Sequence, residues 1–300
     1  SLRDAVGAVY GATDFTGTVH IASGSYNSME YDTASGYSRL AAVSRPIRLV
    51  GADDPADIVL SYNVTGSTDF GGGIVLNHPG ASLCGVTLTG SARSIDNRWE
   101  NGMALHINAG LASNCDICGA VPNGTHIRPP VRIQGGLMTH CYVRDNYSAG
   151  LYGRSSCGVH LSDGEIRRSR IERNGIRNSH SDQARANGLY MTSGTVRDSV
   201  IAGNFGGHNN ANSGAAGVRM DGGLIERCVI QCNTNSTLMK KQAPGGILVN
   251  GTATVRNCLI ADNISATSDS DTAGGIYIQN AGGVVEHATL YNNLAASGAG

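Results

Sequence analysis

Residues 188–204 read GLYMTSGTVRDSVIAGN, and residues 217–233 read GVRMDGGLIERCVIQCN. Both obey one template: Gly-apolar-x-apolar, a Gly-containing turn, apolar-x-x-Cys/Ser, x-apolar, then Asn. The template returns at 158–174 (GVHLSDGEIRRSRIERN), 246–263 (GILVNGTATVRNCLIADN) and 275–293 (GIYIQNAGGVVEHATLYNN), with less regular copies from Gly73, Gly102 and Val131. A period of about 29 residues fits a supersecondary unit that buries its apolar face only by stacking on its neighbours. Each copy holds two short alternating stretches, and alternation marks strands with one buried face. Turns of Asp-Gly, Asn-Gly or Gly-Gly leave no room for helical crossovers, so each strand must pair in parallel with its equivalent in the next copy. The expected fold is all-β, a parallel β-helix of about ten coils spaced ~4.8 Å apart in a rod ~50 Å long.

In register, equivalent residues stack. Val131, Val159, Leu189, Val218, Ile247 and Ile276 form one inward row, with Ile133, Leu161, Met191, Met220, Val249 and Ile278 beside it. A row of small residues reads Cys84, Cys115, Cys141, Ser169, Ser199, Cys228, Cys258 and Ala288. Interchange of Cys, Ser and Ala marks a narrow buried slot holding free thiols, since stacked neighbours sit wider than the Cβ separation of a disulfide. Asn146, Asn174, Asn204, Asn233, Asn263 and Asn293 close the copies. Asparagine tolerates the left-handed backbone, and stacked amides can hydrogen-bond along the rod.

The composition agrees with a narrow interior. Glycine (42) far outnumbers proline (7), aromatics are 5 %, and a net charge of −1 argues against a nucleic-acid partner held by bulk electrostatics. No apolar run approaches the roughly 20 residues of a membrane span. In SLRDAVGAVY, residues Leu2, Ala5, Val6, Val9 and Tyr10 are spaced for a short amphipathic helix that would cap the first coil. The expected organisation is one continuous domain. Residues 1–70 form the cap and the first irregular coils. Residues 71–300 form regular coils that continue beyond 300, because ASGAG stops where the next Gly-apolar strand should begin.

The opening, a helix followed by TVHIASGSY and PIRLVGADDPADIVL, resembles the start of the pectin-lyase-like superfamily of right-handed parallel β-helices. NNLAASGAG and TAGGIYI are similar to repeats of chlamydial polymorphic outer-membrane proteins and other surface passenger domains. The resemblance implies a right-handed helix, an extracellular or cell-surface location, and a polysaccharide or cell-surface glycan as partner. It assigns no activity, because lyases, hydrolases, epimerases, tailspikes and adhesins share the fold. The polygalacturonase pattern, with Asp-Asp and Gly-His-Gly motifs on successive coils, and the Asp-Pro-His-Glu motif of mannuronan epimerases are missing from this sequence.

Without a motif, the outward rows supply the candidates. One reads Arg132, His160, Tyr190, Arg219, Leu248, Tyr277; its neighbour reads Gln134, Ser162, Thr192, Asp221, Asn250, Gln279. Arg132, His160, Tyr190, Arg219 and Asp221 are thereby the catalytic candidates: arginine to neutralise a uronate carboxylate, tyrosine or histidine as acid and base for β-elimination. The competing reading is an ordinary exposed strand face. Asp53, Asp54 and Asp57 beside Pro55 are calcium candidates, set against a solvated turn; no other cofactor is expected. His180, Asp182, Arg185 and His208 fall in polar loops, and the row Arg167, Arg197, Glu226, Arg256, Glu286 reads as a structural charge ladder. The leading expectation is a non-enzymatic adhesin, stalk or glycan-binding rod. The alternatives are a polysaccharide lyase or glycoside hydrolase using the strand face, and a structural protein that self-associates end to end.

Overall fold

The structure, a computed structural model, describes residues 2, 17–27, 30–32, 37–51, 54–64, 71–92, 103–120, 129–148, 156–176, 186–206, 214–235, 243–267, 272–297 and 300. Over these residues the chain is a parallel β-helix built from three sheets. Seven successive turns run from Leu105 to Ala295, each paired with the one before. The turn that begins at Val159 shows the pattern, with strands Val159–Leu161, Glu165–Arg167, Arg170–Glu172 and Gly175–Ile176. The first two strands join a 16-stranded sheet, the third a ten-stranded sheet and the fourth a six-stranded sheet.

Three or four strands per turn replace the two alternating stretches expected: besides the turn glycine between the first two strands (Gly136, Gly164, Gly194, Gly223, Gly251, Gly282), each turn bends sharply at two further residues of positive φ. One column is Asn114, His140, Arg168, Asp198, Arg227, Asn257 and His287; the other is Asp145, Arg173, Gly203, Cys232, Asp262 and Asn292. The second column corrects the role given to the ladder asparagines. The left-handed residue is the one before each asparagine, and Asn146, Asn174, Asn204, Asn233 and Asn263 are themselves completely buried.

Those amides run as a continuous hydrogen-bonded stack. Asn204 Nδ2 donates to Ile171 O (3.0 Å) in the preceding turn and to Asn233 Oδ1 (3.0 Å) in the next. Its Oδ1 accepts the Asn174 main-chain N–H (3.0 Å) and Asn174 Nδ2 (3.1 Å). The same pattern links Asn146 to Asn174, Asn233 to Asn263, and Asn263 to Asn293. Each amide satisfies main-chain groups that a sharp corner would otherwise leave buried without partners.

Both inward aliphatic rows fall where the alternation places them and are fully buried from Val131 to Val249. The cysteine row needs one correction. Asp116 pairs with Thr87, so Val86, not Cys84, lies beside Cys115; Cys84 pairs with Ser113, two positions upstream. Register shifts at Asn77 and between Asn77 and Ser82 defeat counting from Gly73. Cys115, Cys141, Cys228 and Cys258 are buried and unbridged. At the amino-terminal end Leu2 is buried in the core cluster; the other expected cap-helix positions lie outside the described residues. No helix among the described residues is long and apolar enough to cross a membrane.

Candidate functional site

Parallel in-register pairing brings the predicted row together. Arg132 pairs with His160, His160 with Tyr190, and Tyr190 with Arg219. His106 extends the row by one turn, pairing with Arg132. Flanking residues fix the direction of each side chain: in Leu189–Met191, for example, Leu189 and Met191 point into the core, so Tyr190 must point out. The His160 and Tyr190 rings stack with centroids 4.8 Å apart and planes 26° from parallel.

The sequence suggested an exposed row, but apart from the half-buried Arg132 the row from His106 to Arg219 is buried. His106, His160, Tyr190 and Arg219 are each only 5–7 % accessible. Long side chains stacked at strand spacing cover one another's flanks. The accessible part of this face is Arg132 together with the neighbouring row, where Ser162, Thr192, Asp221 and Asn250 are partly exposed and Gln134 is exposed.

Asp221 joins the two rows. Its Oδ2 accepts the Tyr190 hydroxyl (2.8 Å), and its Oδ1 accepts Arg219 Nε (2.9 Å) and Asn250 Nδ2 (2.9 Å). A register shift between Met220 and Gly222 against the strand Ile247–Arg256 accompanies this convergence, the usual way a bulge re-aims side chains. At the other end of the row, His106 Nε2 and Gln134 Oε1 lie 2.6 Å apart, again linking the buried row to the accessible one.

Burial alone would push the Asp221 carboxyl up. The Asn250 hydrogen bond, the Arg219 charge and the Tyr190 hydrogen bond outweigh it and hold the group below its ordinary 3.8. A carboxyl lowered by folding stabilises the native state above its unfolded value and loses that contribution as pH falls through the folded value. The loss of stability below about pH 4 should therefore be shallower in Asp221→Asn than in the parent, as read by urea unfolding at stepped pH. Identical acid limbs would mean that Asp221 is not held in this way.

A second polar cluster escaped the sequence reading. The Tyr142 hydroxyl donates to Glu172 Oε2 (2.6 Å) and accepts from Arg173 Nη1 (3.0 Å). Arg144 pairs with Asp116 (2.6 Å) and Asp145 (3.0 Å), Arg173 with Asp145 (2.8 Å), and Arg170 with the nearly buried Glu172 (2.5 Å). Burial, then the Glu172 hydrogen bond, pushes the Tyr142 phenol up. Arg144, Arg170 and Arg173 are balanced by Asp116, Asp145 and Glu172, so the cluster laces turns together and has no surplus charge to attract a ligand. Glu226 likewise joins Arg197, Arg227 and Arg256, with Glu165 and Asp198 completing the balance.

Of the calcium candidates, Asp54 is committed to capping the short 3₁₀ turn Pro55–Asp57, its side chain accepting from Ala56 N (2.9 Å). Asp57 is exposed in the same turn, and Asp53 lies outside the described residues. The loop candidates His180, Asp182, Arg185 and His208 also lie outside them.

No protein-family model and no curated protein matches the chain. Among solved structures it is similar to the A-module of Azotobacter vinelandii mannuronan C-5 epimerase AlgE6, at 13 % identity over 99 % of this chain and 92 % of that one, with a TM-score of 0.38. The AlgE4 A-module of the same organism gives 12 % identity over 99 % and 94 %, TM-score 0.33. Escherichia coli ybhc gives 13 % over 99 % and 81 %, TM-score 0.32. The strand register of this chain, not these likenesses, establishes its parallel β-helix.

Proposed function

We propose that this chain is an extracellular or cell-surface β-helix that binds a polysaccharide along the polar face of its 16-stranded sheet without cleaving it. The carrying observation is the state of Asp221. A general acid or base works best with its pKa near the operating pH; Asp221 is held in the opposite direction, with three donors on its two oxygens. The Tyr190 proton is directed at that carboxylate rather than at open space. Such a network positions groups instead of moving protons, while the accessible row of Gln134, Ser162, Thr192 and Asn250 offers amides and hydroxyls at each turn. Donors and acceptors repeating at the strand spacing of ~4.8 Å suit a polymer with its own regular repeat. The extracellular location rests on the resemblance to surface β-helices.

The test is a panel of acidic and neutral polysaccharides. Binding is measured by calorimetry, and cleavage by reducing ends and unsaturated-product absorbance, with and without calcium. Binding to one glycan without cleavage is expected, weakened at least tenfold in Asn250→Ala. Cleavage that disappears in His160→Ala or Tyr190→Phe would make the chain a lyase or hydrolase instead, and silence on both counts would remove the glycan reading.

A further inference from the structure

The charge row on the second stretch of each turn alternates in sign through Arg197, Glu226, Arg256 and Glu286, and breaks at Arg167, where positive faces positive. We propose that this break is a binding site for a tetrahedral oxyanion, a sulfate or phosphate group, held by Arg167 and Arg168 with Arg197 beside them.

The register brings the like charges together. Arg167 pairs directly with Arg197, at the ~4.8 Å spacing of the sheet. Like charges directly opposite one another in a ladder destabilise it. The turn on the other side brings no counter-charge, because Arg167 pairs there with Thr139, and His140 follows. Arg168 comes next in the chain, exposed at the left-handed corner.

The nearby carboxylates are already committed. Asp198 holds Arg227 through both oxygens (2.7 and 3.1 Å), and Glu226 holds Arg256 (2.8 Å). Glu165 lies 3.3 Å from Arg197 Nε, and Asp163 accepts from Gly164 N (2.7 Å) in its own turn. Asp198 is close enough to feel the Arg168 charge, yet no carboxylate among the described residues forms an ion pair with Arg167 or Arg168. Two positive charges are left over at one corner of a chain whose net charge is only −1.

These guanidiniums are also poorly solvated. The Nε atoms of Arg167 and Arg197 are shielded from water, and neither has a hydrogen-bond acceptor, although both side chains reach the surface. An oxyanion on the terminal N–H groups supplies the missing counter-charge through paired, charge-assisted hydrogen bonds. Three neighbouring guanidiniums match an anion with three or four oxygens better than a carboxylate with two. The group can arrive as the free ion or as an ester on a polymer, with the same chemistry at the arginines. The site lies beyond the glycine bend from the polar row of Gln134 to Asn250, and it does not depend on the glycan reading.

The experiment titrates sulfate and phosphate at millimolar concentration and fixed ionic strength, below the range in which sulfate stabilises proteins generally. Binding is read by calorimetry and by the thermal midpoint. Saturable binding of about one ion per chain is expected, weakened about tenfold in Arg167→Gln and in Arg168→Gln. Arg48→Gln, which removes one exposed positive charge from a distant strand of the same sheet, should bind as the parent does. Arg167→Glu restores the alternation within the chain, so it should raise the midpoint with no anion present and abolish the response to sulfate. A gain in stability cannot come from a variant that merely folds badly. Sulfated dextran that displaces inorganic sulfate, where plain dextran does not, assigns the group to a polymer ester; sulfate that it fails to displace assigns a free ion. Equal responses in the parent and Arg167→Gln, an equal loss in Arg48→Gln, acetate binding as tightly as sulfate, or a lowered midpoint in Arg167→Glu would each overturn the proposal.

Discussion

Asn204→Ala should lower the free energy of unfolding by about 4 kcal/mol, one of the largest losses available to a single side chain in this protein. The amide makes four hydrogen bonds in a region with no access to water. Truncation leaves the Asn174 main-chain N–H and one Asn174 amide hydrogen without their partners, each at roughly 1–3 kcal/mol before relaxation, while Ile171 O keeps its ladder bond from the strand Val200–Ala202. Asn233 Oδ1 is less affected, because it also accepts the Asn204 main-chain N–H (3.0 Å). Urea unfolding should show a lower midpoint with an unchanged slope. Because each turn touches only its neighbours, hydrogen exchange should speed up at residues 171–174 and 201–206 before it does so elsewhere. A loss below about 1 kcal/mol would mean that the corner is held by the strand ladders alone.

This stack also shows how far the sequence could be read. A period near 29 residues exposed every row in which one residue type repeats, so the inward aliphatics, the asparagines and the alternating charges were all legible by position. Their local chemistry was less so. The asparagines were placed on left-handed backbone because that is their common use in turns, yet the strain sits on residues as unlike as Asp145, Arg173 and Cys232. No residue type marks that column, since a tight corner repeated in register forces it on whatever side chain is present. Cys84 was misplaced for a related reason: the irregular turn NHPGAS shifts the register, and no alternation survives there to reveal it.

The candidate site was legible as a row and not as an environment. Pairing of Arg132, His160, Tyr190 and Arg219 follows from the template. Their burial, the bulge at Met220/Gly222 and the saturation of Asp221 depend on side-chain packing between turns, which spacing does not report. His106 was visible at the outward position of LHI in the Gly102 copy and needed only one more step of the same argument. The Tyr142 cluster was harder to see. It draws Asp116, Tyr142, Arg144, Arg170 and Glu172 from the ten-stranded sheet and Asp145 and Arg173 from the corners, and these positions share no residue type from turn to turn.

Gly188→Ala should cost about 3 kcal/mol, and the reason explains why every regular copy opens on glycine. Gly188 does not have a positive φ, so conformational freedom is not what it supplies. A Cβ there would lie 2.6 Å from Gly217 O, 2.7 Å from Asn204 Nδ2 and 2.9 Å from Asn204 Cγ. The equivalent atom on Gly158, Gly217 or Gly246 would meet the next glycine's carbonyl at 2.3–2.6 Å and the ladder amide close by. The glycine column thus gives the asparagine column its space, and the two are one device. That makes the substitutions non-additive. With Asn204 already truncated to alanine, two of the three clashes vanish, so Gly188→Ala should cost about 1–2 kcal/mol less than in the parent. The contact with Gly217 O remains, because a carbonyl in a parallel ladder cannot move without breaking the pairing of the next turn. A double-mutant cycle by urea unfolding measures the coupling directly. Strict additivity would show that the backbone contact carries the whole cost and that glycine and asparagine were selected independently.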